Sequence, residues 1–246
     1  MKEYAFLNNA LITVDEAKKE FSSENGLYSA LKRLTDSGKI VKLKGGLYAT
    51  INPLTKDIFP NRFEIATALY KGAYCAYHTA MEYYGMATQM FNDVHIITSV
   101  RYSPVVIEDL QYISFINEYS GGVAENFNNA PIRITEIERT VVDCMDRPLT
   151  AGGLEEVYLG LGMVSYCSEE KILKHLQGYN KKILYKKAGY LFSLIKPKYL
   201  SDRFYEICKD NMSPRIDDIR ENKVAAYTYD NEWKIYAPKQ ITYKGY

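Results

Sequence analysis

Along the first fifty positions the apolar residues recur first with a helical period and then with a strand period. Tyr4, Ala5 and Leu7 make Lys2 to Asn9 a short amphipathic helix candidate. Thr13-Val-Asp-Glu16 has the form of a capping box, in which the hydroxyl takes an orphan amide and the carboxylate reaches back. It predicts a second helix through Phe21 with Val14, Ala17 and Phe21 turned inward. Ser22 to Gly26 reads as a turn. Leu27, Ala30, Leu31 and Leu34 then fall at i, i+3, i+4 and i+7, predicting a third helix to about Ser37, with Gly38 closing it. Its other face carries Tyr28, Ser29, Lys32, Arg33 and Asp36. Beyond it the period drops to two. Ile40–Lys44 and Leu47–Thr50 flank Gly45-Gly46, a two-residue hairpin signal in which both turn positions favour positive φ. Three helices followed by a hairpin is the order of a winged helix-turn-helix, whose third helix enters the major groove of DNA.

Residues 53–60 contain two prolines and no period, and read as a linker between a winged module at 1–52 and a larger mixed domain at 61–246. In that domain the pattern predicts helices at Phe63 to Leu69 and at Tyr74 to Tyr84, the latter closed by Gly85. Strands are expected at Val94 to Val100, Pro104 to Ile107, Gln111 to Ile116 and Ile132 to Ile134. Thr135-Glu-Ile-Glu138 is a second capping-box pattern, opening a helix with Ile137, Val141, Cys144 and Met145 on one face. Leu154, Val157, Tyr158 and Leu161 stripe the next helix. Glu169 to Tyr179, Ile183 to Ile195 and Asp202 to Lys209 predict three more, and Val224 to Tyr229 with Trp233 to Tyr236 a terminal hairpin. The fold class expected is α+β.

The chain has 246 residues, enough for one large domain or two modest ones. With 47% hydrophobic and 25% charged residues it has a globular balance, which excludes disordered and fibrous chains. No apolar run is long enough to span a membrane, and Glu3 and Asn8-Asn9 interrupt any leader-like segment. The four cysteines, Cys75, Cys144, Cys167 and Cys208, form no CxxC and suit reduced core thiols, so a cytoplasmic location is expected. A net charge of +1 argues against coating nucleic acid with the whole surface, not against a local patch.

That charge is uneven. Residues 171–203 carry nine basic residues and one acid, Asp202. Lys171, Lys174, Lys181, Lys182, Lys186 and Lys187 are therefore expected as a basic patch of the second domain, competing with a reading as ordinary solvated helix faces. In the winged module, Ser22, Ser23, Asn25, Tyr28 and Ser29 lie at or near the start of the third helix, where base edges are usually read. Lys32, Arg33, Lys42 and Lys44 suit phosphate contacts.

Four segments resemble the AbiEi-type antitoxins of type IV toxin–antitoxin (abortive infection) systems. They are Lys39-Ile-Val-Lys-Leu-Lys-Gly-Gly-Leu-Tyr48, Tyr74-Cys-Ala-Tyr-His-Thr-Ala-Met-Glu-Tyr-Tyr-Gly85, Val94-His-Ile-Ile-Thr98 and Ile134-Thr-Glu-Ile-Glu-Arg-Thr-Val-Val-Asp143. The resemblance covers most of residues 10–165 and, more faintly, the Trp233 hairpin. It implies a transcriptional autorepressor that binds inverted repeats of double-stranded DNA upstream of its own operon. It also implies a second domain that opposes a co-encoded nucleotidyltransferase toxin without a stable complex. Self-association on DNA is left open.

An enzyme is the rival class. There is no Walker A loop and no Gly-x-Ser-x-Gly elbow, and His78, His95 and His175 have no zinc-site spacing, so no cofactor, metal or catalytic residue is expected. His78 with Glu82, and Arg139 with Asp143, are i, i+4 pairs with structural readings. Asp217-Asp218 followed by Glu232-Trp-Lys234 is the one nuclease-like pattern, since carboxylates and a lysine can hold Mg²⁺ and steer water. The alternatives to a regulator are thus an interaction module with a vestigial wing and, least favoured, this Mg-dependent nuclease.

Overall fold

A computed structural model describes residues 4–221 and 226–239. The fold is mixed α+β, and the chain divides into two compact units. One comprises Met1–Cys75, Ile96–Ile116 and Glu125–Arg133; the other Ala76–His95, Asn117–Ala124 and Ile134–Tyr246.

The first unit opens on a short 3-10 turn at Ala5–Asn8 where a helix is expected. Within the turn Phe6 is buried and Leu7 packs against the core, beside Tyr4 that precedes it, and four residues are too few to sustain an α-helix. Strand β1 (Leu11–Thr13) follows, then α1 (Val14–Lys18) and α2 (Glu24–Asp36). The Thr13–Glu16 capping box forms as expected, but α1 stops at Lys18, short of Phe21. Leu27, Ala30, Leu31 and Leu34 bury one face of α2 against Ile12, Ile40 and Tyr48. Strands β2 (Ile40–Lys44) and β3 (Leu47–Thr50) form the hairpin, and β1 joins them in the order β1-β3-β2. Of the two glycines only Gly46 has positive φ, and the pairing shifts register between Lys42 and Lys44, so the turn is not the double positive-φ form expected. Residues 53–60 belong to a closed loop. Ile51 bridges Ile58, and Asn52 Oδ1 accepts from the amide of Leu54 at 2.9 Å.

Helix α3 (Arg62–Ala68) starts at a capping box of Asn61 and Glu64 that the pattern did not flag. The predicted Tyr74 to Tyr84 helix splits into strand β4 (Tyr74–Cys75) and α4 (Tyr77–Tyr83). Strands β5 (Asp93–Ile97), β6 (Val105–Ile107), β7 (Leu110–Phe115), β8 (Val123–Phe127) and β9 (Pro131–Thr135) follow. With β4 they build a six-stranded sheet in the order β6-β7-β5-β4-β9-β8.

Helices α5 (Ile137–Asp146), α6 (Leu154–Met163), α7 (Glu169–Tyr179), α8 (Lys182–Ile195) and α9 (Asp202–Asn211) make the core of the second unit. The second capping box does not form. Thr135 stays in β9 with its hydroxyl 2.7 Å from that of Thr140, and Glu138 accepts the amide of Ser168. Strands β10 (Asp217–Asp218), β11 (Tyr227–Asp230) and β12 (Ile235–Pro238) close the unit, with β11 and β12 antiparallel as expected and β10 parallel to β12. Val224 and Ala225 of the expected hairpin lie outside the described residues. No helix among those described is long and apolar enough to cross a membrane.

Candidate nucleic-acid interface

The buried stripe of α2 fixes which face looks outward. Asn25, Tyr28, Ser29 and Lys32 repeat at i, i+3, i+4 and i+7, and all four are exposed, Tyr28 at 54% although aromatic. Ser22, Ser23 and Arg33 are exposed too. Two of these have local duties. The Ser23 hydroxyl caps α2 by accepting the amide of Gly26 at 3.2 Å, and Arg33 donates to the Tyr4 hydroxyl at 3.2 Å. Lys18 holds Glu24 at 2.8 Å, which neutralises the one carboxylate in the first turn of α2. Lys32 makes no ion pair with a described residue.

The hairpin lysines part company. Lys42 is exposed. Lys44 donates to the carbonyl of Leu69 at 2.6 Å and lies 3.6 Å from the centroid of the Tyr70 ring, itself stacked on Tyr102 at 3.8 Å. Burial pushes its ammonium below the ordinary lysine value. A cation held by a carbonyl and a ring face is not presented to phosphate, so Lys44 drops out of the expected contact set.

No protein-family model matches the sequence, and no curated protein matches it. The fold has a solved likeness. The RV2827C protein from Mycobacterium tuberculosis superposes with a TM-score of 0.66 at 12% identity, over 94% of this chain and 87% of that one. At that identity the likeness is one of fold.

The basic run of the second unit is not a patch. Lys186 is fully buried in α8, held 2.5 Å from Asp217 and 2.6 Å from the carbonyl of Arg215. Lys187 donates to the carbonyl of Met145 at 2.8 Å, and burial lowers its pKa. Lys171 pairs with Glu136 at 2.8 Å and Lys181 with Asp146 at 2.7 Å. Of the six lysines expected, Lys174 and Lys182 remain exposed without an ion pair to a described residue. The nuclease-like carboxylates are also dispersed: Asp217 meets Lys186, Asp218 meets Arg220 at 2.8 Å and Glu232 meets Lys209 at 2.6 Å.

The second unit instead gathers a polar network that periodicity only touched. Arg139 and Asp143, both fully buried, meet at 2.5 Å. Arg139 also donates to the carbonyls of Gly121 and Tyr119, and the Tyr179 hydroxyl donates to Asp143. The Tyr119 hydroxyl lies 2.8 Å from His175 Nδ1, and His175 Nε2 lies 2.8 Å from Glu136. The i, i+4 spacing of Arg139 and Asp143 was legible; their partners lie 18 to 36 residues away and carry no local signal.

Burial pushes the Asp143 carboxyl up to about 6 against the opposing pull of Arg139. The folded state thus holds this proton more tightly than the unfolded chain. The stabilisation is full below the ordinary aspartate value near pH 4 and is lost as pH rises through about 6. Burial depresses His175, whose contribution runs the other way: present above its ordinary value and lost as pH falls through the folded one. Urea unfolding at half-unit pH steps should therefore show that Asp143→Asn removes a falling component between about pH 4 and 6. An unchanged difference between parent and variant across that window would contradict it.

Proposed function

We propose that the protein is a DNA-binding transcriptional regulator that reads double-stranded DNA through a winged helix at its N-terminus. What carries this reading is the outward face of α2, where Asn25, Tyr28, Ser29 and Lys32 stand exposed while the opposite stripe is buried. A 13-residue helix with a polar face at its start suits the major groove, and the β2–β3 hairpin with Lys42 suits the wing. Repression of its own operon and antitoxin action against a nucleotidyltransferase rest on the AbiEi-type resemblance of the four motifs.

The test is binding of the full chain to the DNA upstream of its own gene, against scrambled DNA, across a salt series. Each phosphate contact contributes about −0.9 to the slope of log affinity against log salt. Lys32→Ala and Lys42→Ala should each flatten the slope by about that amount, and Lys44→Ala should leave it unchanged. Replacing Ser29 or Asn25 should narrow the gap between upstream and scrambled DNA. A Lys32→Glu/Arg33→Glu/Lys42→Glu variant that binds as well as the parent would sink the proposal.

A further inference from the structure

Between α8 and α9 lies an open cleft of about 750 Å³. That volume is within the range of roughly 300–1,000 Å³ usual for small-ligand sites. Trp233, the only tryptophan in the chain, lines it and is 1% exposed. The six-membered ring of the indole packs on Gly189 of α8, and Nε1 is buried with no acceptor among the described residues. Lys209 Nζ lies 5.7 Å from the ring centroid and is paired with Glu232 at 2.6 Å.

The rest of the charged lining has both signs. Lys196 and Lys198 come from the loop that leaves α8, and Asp202 and Glu206 from α9. All four are exposed, and none forms an ion pair with a described residue. With Lys209 and Glu232 included, three lysines stand against three carboxylates. A polyphosphate would meet the carboxylates and a polyamine the lysines, so neither gains from the net field. A molecule with one charge of each sign gains at both ends. Leu200 and Tyr205, both half-buried, offer its apolar part a surface, with the buried indole of Trp233 behind them.

We propose that this cleft binds a zwitterion with an apolar side chain, an α-amino acid or a short peptide. Its carboxylate lies toward Lys196 and Lys198, its ammonium toward Asp202 and Glu206, and its side chain toward Leu200 and Tyr205, next to the buried Trp233. The site is lined by residues of the second unit alone, and the proposal does not rest on DNA binding.

Because Trp233 is the sole tryptophan, the emission of the intact protein reports this cleft. The probes are leucine, phenylalanine and the tripeptide alanyl-leucyl-alanine, with N-acetyl-leucine and leucinamide as forms lacking one charge. Calorimetry in parallel catches binding that leaves emission unmoved. Saturable binding of an amino acid or of the tripeptide is expected, with the capped forms at least about ten-fold weaker than leucine if leucine binds. Saturation by the tripeptide alone assigns the site to peptides, and its N-acetylated and amidated forms then replace the leucine controls. Lys198→Ala and Asp202→Asn should each weaken the bound probe by about ten-fold while leaving the unliganded emission unchanged. No saturable heat or emission change up to about 10 mM with any of the three probes, or capped forms binding as well as uncapped ones, would overturn the proposal.

Discussion

Arg139→Ala should cost about 3–5 kcal/mol of folding stability, because it leaves the Asp143 carboxylate in the core without its cation. Few single changes in a domain of this size reach that figure, and here the cause is specific. Asp143 has no exposed surface, and its Oδ2 has no hydrogen-bond partner among the described residues. Arg139 and the Tyr179 hydroxyl therefore carry most of its compensation. The same substitution orphans the carbonyls of Gly121 and Tyr119, which adds desolvated acceptors to the loss. Against a typical total of about 5–15 kcal/mol, this is about a fifth of the stability at the least. Urea unfolding at pH 7 measures it. A double variant, Arg139→Met with Asp143→Leu, should recover part of the loss by removing the buried charge along with its partner. It should not recover all of it, because the two carbonyls stay unpaired. A single variant within about 1 kcal/mol of the parent would mean that Asp143 takes up a proton or meets water once Arg139 is gone.

The parts of this fold that could be read from sequence are those whose cause is local. The stripe of α2 and the alternation of β2 and β3 are set by neighbours within one or two turns, and they form almost where the period places them. The same holds for the Thr13–Glu16 cap. What failed was decided elsewhere in the chain. The Thr135–Glu138 pattern matches a capping box, but β9 pairing holds Thr135 and the amide of Ser168 takes Glu138. Strand β8 has little alternation because it is a sheet edge with Phe127 75% exposed. Strand β10 has two residues and exists only because β12 runs beside it.

Charge misled in the same way. The run from Lys171 to Arg203 looks like a surface because lysine usually sits there. Helix α8, however, buries Leu184, Tyr185, Ala188, Tyr190, Leu191 and Phe192, which leaves little of its circumference for water. Lys186 goes inside with them and is balanced by Asp217, 31 residues later. Lys44 is the smaller case: alternation puts it on the polar side of the hairpin, and only Tyr70 and Tyr102 reveal that this side is covered at its tip. In the candidate interface, the α2 face is exposed as a set because its exposure follows from its own helix. The lysines drop out where a distant segment claims them.

Gly189→Val should destabilise the protein by about 3 kcal/mol, the upper part of the usual overpacking range. A Cβ at Gly189 would stand 2.1 Å from Trp233 Cζ3 and 2.2 Å from Cη2, well inside contact distance. In an open helix, replacing glycine by a residue with a Cβ is favourable, by up to about 1 kcal/mol for alanine. The sign therefore depends on whether the indole can move. Trp233 is 1% exposed in the floor of the cleft, between α8 and the Lys209–Glu232 pair, and a rigid bicyclic ring has no rotamer that withdraws only one edge. The helix must then bend or the ring must leave its place. Gly189→Ala should also destabilise, by less, and Trp233→Leu alone should cost about 3–5 kcal/mol through the cavity it opens. The two changes share one volume, so they should not add. Gly189→Ala in a Trp233→Leu background should be neutral or stabilising, a coupling of about 1–3 kcal/mol in a double-mutant cycle read by calorimetric or urea unfolding. Additive costs would show that Gly189 is glycine for some reason other than making room for Trp233.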